Sequence, residues 1–239
     1  MYEIRGRFRA EILPSGEPIP FAELDRHAFF DATRGADWGH KLSCAWLRLS
    51  GRVPEEMKHP VLLVGNTGEG LVYTPEGEIV DGLTDVWVVG DVPRAAGRRV
   101  ALELPADAAG RELTCFVDCG YNGWMLNDIG RARFSGAFVA ERDEETFSYY
   151  YDYLTLLLLL SETEDAAYQD ALAESLRASY RAFRRNGAAA AREALAPCLA
   201  ARSEESLVFD AVGHGHLDLA WMWPMRESVR KSARTYAMA

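Results

Sequence analysis

Long apolar runs are missing from this chain. The longest, Leu156 to Leu160, is a pentad, whereas a membrane-spanning helix needs about 20 such residues. The opening Met1-Tyr2-Glu3-Ile4-Arg5-Gly6-Arg7 is charged and lacks the apolar core of a secretory signal. A soluble, cytoplasmic protein with no membrane contact is expected. Basic residues are in deficit as well. Lysine and arginine number 26 against 36 aspartates and glutamates, a net charge of −10, which argues against nucleic acid or an anionic membrane surface as partner. Cysteine is scarce: Cys44, Cys115, Cys119 and Cys198 are too few and too scattered for a disulfide scaffold. Cys115 and Cys119 share a face if their segment is a strand, yet no second pair completes a four-sulfur zinc site. Buried free thiols are the expectation.

What is present is ordinary globular composition, 49% hydrophobic and 26% charged over 239 residues, enough for one or two domains. Up to about Arg142 the texture is that of an all-β domain. Short apolar or alternating runs occur at 45–49, 60–64, 70–73, 85–89, 99–104, 113–117 and 132–134. Turn signals separate them: Asn66-Thr67-Gly68, Pro75-Glu76-Gly77, Asp81-Gly82 and Ala96-Gly97. Strands at this spacing without intervening helices indicate a sandwich or jelly roll.

Near Glu141 the pattern changes to helical. From Glu144 to Leu160 one stripe carries Phe147, Tyr151, Leu154 and Leu158. A second carries Tyr168, Leu172, Leu176, Tyr180 and Phe183, with Ser161 and Glu164 at capping-box spacing before it and Asn186-Gly187 closing it. An alanine-rich helix from Ala188 to Leu195 ends near Pro197. Leu207-Val208-Phe209-Asp210-Ala211-Val212 then reads as a strand of a parallel sheet, and a last helix begins after Pro224. The expected architecture is multidomain. Residues 1–142 form an all-β, jelly-roll-like sandwich and 143–204 a helical connector; 205–239 hold the first strand and helix of an α/β barrel-like catalytic domain that stops short.

Between that strand and helix lies Gly213-His214-Gly215-His216-Leu217-Asp218-Leu219-Ala220-Trp221. Two imidazoles and a carboxylate at alternate positions share one face if the strand continues through them. All three are donors that zinc accepts, and the end of a parallel strand is where α/β enzymes place their chemistry. Spacing alone does not say which of the three bind. It fits polar residues satisfied at a strand end equally well. Trp221 and Trp223 add aromatic faces of the kind that sugar rings stack on. The charges that follow, Arg226, Glu227, Arg230, Lys231 and Arg234, read mainly as a solvated helix face in which Glu227 pairs with Arg230 and Lys231.

The run Val212-Gly213-His214-Gly215-His216-Leu217-Asp218-Leu219-Ala220-Trp221-Met222-Trp223-Pro224, continued by Arg226-Glu227-Ser228-Val229-Arg230-Lys231, closely resembles the opening motif of glycoside hydrolase family 38. These are the class II alpha-mannosidases, here of the cytosolic and bacterial type, whose layout of sandwich, helical region and barrel-like catalytic domain is similar too. The resemblance implies that His216 and Asp218 are zinc ligands, that His214 is a neighbour and not a ligand, and that Trp221 lies against the sugar. It implies zinc as cofactor, a mannose-containing oligosaccharide as partner, and a retaining mechanism with two carboxylates close together. It leaves room for a homo-oligomer of the full-length parent. No catalytic residue falls within the chain: the family's nucleophile, acid/base and two further ligands come beyond Ala239. Because zinc sites take three or four protein donors, the chain is expected to be the N-terminal portion of a longer enzyme and inert by itself.

Two other readings compete. An amidohydrolase-type metal hydrolase also presents His-x-His after its first barrel strand, but it explains neither Asp218 with Trp221 nor the sandwich. A carbohydrate-binding or structural accessory module is the other. Trp38, Trp46, Trp87, Trp124, Tyr73 and Tyr121 include candidate sugar platforms, best placed in the turn Tyr121-Asn122-Gly123-Trp124, although a sandwich core needs large aromatics too.

Overall fold

The computed structural model describes residues 1–32, 35–85, 99–122, 132–201, 210, 212, 215 and 217–238. Twelve strands appear among them: β1 (Tyr2–Arg7), β2 (Arg9–Ser15), β3 (Phe30–Asp31), β4 (Asp37–Gly39), β5 (Cys44–Arg52), β6 (Pro60–Gly65), β7 (Glu69–Tyr73), β8 (Ile79–Thr84), β9 (Ala101–Glu103), β10 (Glu112–Gly120), β11 (Ala132–Arg133) and β12 (Gly136–Arg142). Four helices follow: α1 (Glu144–Glu162), α2 (Ala166–Asn186), α3 (Ala188–Leu199) and α4 (Met225–Met238). Among the described residues no helix is long and apolar enough to cross a membrane. Contacts divide the chain into two compact units, one of Ile4–Glu141 with Val212–Ala239 and one of Met1–Glu3 with Arg142–Ala211.

In the first unit a four-stranded sheet, ordered β1-β12-β6-β9, and a six-stranded sheet, ordered β3-β2-β5-β10-β7-β8, form the expected sandwich. Strand alternation decides what each face carries. On β5, Ala45, Leu47 and Leu49 point into the core with Val72 of β7 and Val117 and Cys119 of β10, against Leu62, Val64 and Val139 of the other sheet. The opposite face of the six-stranded sheet carries Leu13, Trp46, Tyr73 and Phe116, roofed by Phe21 in a 3-10 turn (Phe21–Arg26). Cross-strand neighbours place Trp46, Asp118 and Leu71 side by side on that outer face. Trp38 and Trp46 are core residues, their indoles donating to the Asn66 and Ile19 carbonyls. Neither is a sugar platform. Tyr121 is buried, and Trp87, Gly123 and Trp124 lie outside the described residues. All four cysteines are free thiols, and burial pushes Cys115 up to about 12.

The runs expected at 45–49, 60–64, 70–73, 113–117 and 132–134 correspond to β5, β6, β7, β10 and β11; the run at 85–89 falls almost wholly outside the described residues. Asp81-Gly82 corrects the reading of that pair as a turn, because it lies in the middle of β8. Asp81 is held there by Arg99 at 2.5 Å. Gly82 is a place of close approach: a Cβ on it would meet Met238 of α4 at 2.6 Å.

The second unit is the helical bundle α1–α3, packed around Tyr149, Leu156, Leu172, Leu176, Ala191 and Leu195. The buried stripe of α1 is therefore Tyr149, Tyr153, Leu156 and Leu160, rotated from the one expected, which leaves Tyr151 and Leu158 exposed. Tyr180 of α2 is likewise exposed, and Ser179 takes the inward position, donating to the Ala191 carbonyl at 2.9 Å. The capping box expected at Ser161 does not form, since α1 runs on to Glu162. Asp165 caps α2 instead, accepting from the Tyr168 N–H at 3.0 Å. Pro197 lies inside α3, within its last turn, where the backbone bond its missing N–H forfeits is near the helix end. The strand expected over 207–212 falls mostly outside the described residues.

The two readings of α1 separate cleanly in stability. Leu156→Ala is expected to destabilise by about 2–5 kcal/mol and Leu158→Ala by under about 1 kcal/mol, measured by urea unfolding followed by circular dichroism; equal losses would restore the sequence-derived stripe.

Candidate functional site

The site region is built from α4 and the turn before it. Pro224 opens the helix, and its carbonyl receives the Glu227 N–H at 2.9 Å. The turn is folded back onto the helix by one hydroxyl: Ser228 Oγ accepts from the Trp223 indole at 2.9 Å and from the Ala220 N–H at 3.0 Å. Ala220 takes a left-handed conformation, φ 53°, to make that bend. No strand runs through 217–223, where the chain bends instead. Trp221 stands edge-on to Trp223, centroids 5.7 Å apart. Trp223 is buried and Trp221 is 54% exposed. Upstream, Gly215 lies so close to α4 that a Cβ would meet Thr235 at 2.5 Å.

Helix α4 packs on the outer face of the six-stranded sheet over β7, β8 and β10. Gly82 and Gly120 make this approach possible, for a Cβ on Gly120 would meet Arg230, Glu227 and Arg234 side chains at 3.0 to 3.4 Å. The expectation of a solvated charged face is corrected here: Glu227, Arg230, Lys231 and Arg234 are all buried. They face the sheet because the sheet meets them with carboxylates. Arg230 forks onto Asp118 of β10, at 2.5 and 3.0 Å, and also reaches the Cys119 carbonyl at 2.8 Å. Lys231 Nζ lies 2.5 and 2.6 Å from the two carboxylate oxygens of Glu69 on β7. Glu227 accepts from Arg230 at 2.7 Å, and also from Arg234 and Asn122. Asn122 donates to Glu69 as well. Three carboxylates thus balance three cations. Of the expected helix pairs, Glu227 with Arg230 forms, while Lys231 is taken by Glu69.

Beside this network a cavity of about 340 Å³ opens. Asp218 and Trp221 line it from the turn, Lys231, Arg234 and Thr235 from α4, and Glu69, Leu83 and Thr84 from the sandwich. His214 and His216 lie outside the described residues. Among the described residues no group of three or more histidine, cysteine, aspartate or glutamate side chains converges as a metal would require. The sequence does not single out Glu69 and Asp118, and it marks Asn122 only as part of a turn with two aromatics, not as a partner of charged groups. The available signal was Asp118, a carboxylate interrupting the apolar run Cys115-Phe116-Val117 with Cys119.

The family described as alpha-mannosidase, jelly roll domain, matches residues 8–148, more than half of the chain. The chain belongs to this alpha-mannosidase family. Human alpha-mannosidase 2C1 is 28% identical over 252 residues, a match covering 93% of this chain and 22% of the human protein. Mouse alpha-mannosidase 2C1 is 26% identical over 253 residues with the same shares. The chain therefore spans 22% of the length of these curated relatives. Among solved structures, beta-glucosidase from Kluyveromyces marxianus in complex with glucose is similar at a TM-score of 0.34 and 16% identity, over 62% of this chain and 18% of that one. So distant a likeness carries no argument. The residues matched by the family's jelly roll run from β2 through β12, and the expected resemblance to glycoside hydrolase family 38 holds.

The electrostatics of the site are set by the network. Burial pushes the Glu227 carboxyl up, but the Arg234 and Arg230 guanidiniums, with hydrogen bonds from Arg234 and Asn122, outweigh it and hold it below its ordinary 4.5. Burial works against the Arg230 cation, yet Asp118 and Glu227 hold it more firmly protonated than a free arginine. A carboxyl depressed in the folded state contributes stability that is present above its unfolded value and is lost as pH falls through its folded value. Glu227→Gln is therefore expected to cost about 3 kcal/mol at neutral pH. It should also flatten the loss of stability below about pH 4.5, as read from urea midpoints between pH 7 and 3. An acid limb as steep as that of the parent would remove Glu227 from this role.

Proposed function

We propose that this chain is the N-terminal part of a zinc-dependent, retaining alpha-mannosidase that acts on mannose-containing glycans or oligosaccharides in the cytoplasm. In this reading residues 1–142 are its accessory sandwich, 143–204 a connector, and 205–239 the opening of a barrel-like catalytic domain. The observation that carries it is that Asp218 and Trp221 line one cavity, a carboxylate beside an exposed indole. Family membership and the names of the human and mouse relatives support the same substrate class.

His216 and Asp218 would hold zinc, with His214 beside them as a hydrogen-bond partner. Their donor atoms suit the ion and Asp218 stands on the cavity wall; two donors are short of the three or four that a zinc site takes, so the remainder belongs to the longer protein. Zinc, when bound, supplies a Lewis acid that holds and polarises sugar hydroxyls. The chain's own residues do the rest. Trp221 offers a ring face to the apolar C–H side of the sugar, Trp223 backs it, and Leu83 and Leu217 keep one wall of the cavity apolar. The nucleophile and acid/base carboxylates fall outside this chain.

A structural accessory role for the sandwich is favoured by a separate observation, the buried network that fastens α4 to β7 and β10. The two readings are compatible.

This chain alone is expected to show no turnover of a chromogenic α-mannoside and a flat calorimetric titration with mannose or mannobiose. The longer protein should bind one zinc per chain, by elemental analysis, and hydrolyse the substrate. His216→Ala and Asp218→Ala in that protein should each lose the metal. Full zinc occupancy in both variants would sink the ligand assignment, and reproducible turnover by this chain, lost in His216→Ala, would show that the site needs nothing further.

A further inference from the structure

Glu69 belongs to the sandwich, yet both of its carboxylate oxygens end on helix α4, at Lys231. The same ammonium stands 4.4 Å from the centroid of the Trp223 ring. Trp223 meets Trp221 edge to face and is pinned through its indole N–H to Ser228, the residue that also receives the Ala220 N–H. A continuous line of contacts therefore runs from strand β7 to the exposed ring on the cavity wall: Glu69, Lys231, Trp223, Trp221. We propose that Glu69 is a positioning residue for Trp221, acting through Lys231 and Trp223 to set the orientation of the ring that faces the cavity. This deepens the reading of Trp221 as a sugar platform and rests on it.

The physical case lies in what Lys231 does without its partner. A buried ammonium is stable only when paired, and Glu69 is the carboxylate on Lys231. Its other neighbour is an aromatic face, which attracts a cation but does not replace a carboxylate. Losing Glu69 therefore draws the Lys231 side chain toward solvent and removes the cap from Trp223. Trp221 touches that ring at its edge, so its tilt follows. Asp118, by contrast, engages Arg230, which contacts neither indole and joins the Glu69–Lys231 pair only through Glu227 and its partners Arg234 and Asn122. Glu69 and Asp118 anchor the same helix with different consequences, and this makes the role of Glu69 distinguishable from simple support.

The test uses this chain, labelled with 15N, with its tryptophan indole N–H signals assigned. In Glu69→Gln the signals of Trp221 and Trp223 are expected to move, and iodide quenching of Trp221 to change at least about twofold. The signals of Trp38 and Trp46, buried in the sandwich, should stay in place. Lys231→Met should reproduce the pattern, and the double variant should add nothing to it. Asp118→Asn, which loosens the helix elsewhere, should leave the Trp221 quenching unchanged. Unmoved Trp221 and Trp223 signals in a folded Glu69→Gln overturn the proposal, and so does a shift of all four indoles together. If Glu69→Gln fails to fold, Lys231→Met decides by the same readout. In the longer protein, Glu69→Gln should raise KM for an α-mannoside about tenfold with bound zinc retained. A parent that neither binds zinc nor hydrolyses the substrate overturns the mannosidase reading and leaves the indole result standing.

Discussion

Three carboxylates and three cations, sealed between a helix and the outer face of a sheet, are the constraint on which the rest of the candidate site depends. Glu69 and Asp118 come from the sandwich, Glu227, Arg230, Lys231 and Arg234 from α4. Burying such groups is costly, and their mutual attraction offsets the loss of water only when nearly every donor has an acceptor. Here the pairing is close to complete; Nε and one terminal nitrogen of Arg234 are the guanidinium atoms left over among the described residues. An ionic contact of this kind is weak evidence for stability but strong evidence for register. An apolar helix face tolerates a slide or a roll along a sheet. A bidentate Arg230 on Asp118 and an ammonium on both oxygens of Glu69 do not, because a shift of one residue leaves a charge buried and unpaired.

That register is carried outward by backbone as much as by side chains. Gly82 and Gly120 admit the helix to a distance at which the charged groups meet, and Ser228 ties the preceding turn to the first turn of α4. The turn in turn presents Asp218 and Trp221 to one cavity. A sandwich of the jelly-roll type needs only its inner faces for its own core. Its outer face was free to become the bed of a second element, and the glycines and carboxylates on that face make sense only with α4 in place.

Much of this is legible in the sequence, and the rest escapes it for more than one physical reason. Short apolar or alternating runs bounded by turn signals mark β5, β6, β7 and β10. β8 was broken by Asp81-Gly82, which by local propensity is a turn and by tertiary contact is a strand with a helix lying on it. The capping residue of α2 was missed by one local alternative over another, Asp165 for Ser161, since both are good caps and α1 simply runs longer. The motif Gly213–Trp221 was legible as donors and rings. What the spacing could not contain was the sandwich wall of the cavity, because Glu69 and Thr84 lie more than a hundred residues away in sequence.

Helix α4 shows most sharply where periodicity stops informing. Of the five charges grouped by their spacing, Glu227, Arg230, Lys231 and Arg234 share one side, while Arg226 is exposed and pairs with Glu17, and Met225, Val229 and Tyr236 also fall elsewhere on the helix. The usual rule sends the apolar side inward, which predicts solvated charges. The structure does the reverse: Val229 and Tyr236 are 68% and 81% exposed while the four charges are buried. Periodicity states which residues share a face, and the partner surface decides which face is covered. Asp118 and Glu69 on the sheet are that decision, since an apolar stripe laid over two carboxylates would strand both without partners. The orientation of α4, and with it the placement of Asp218 and Trp221, therefore follows from two charges in strands that carry no part of the motif.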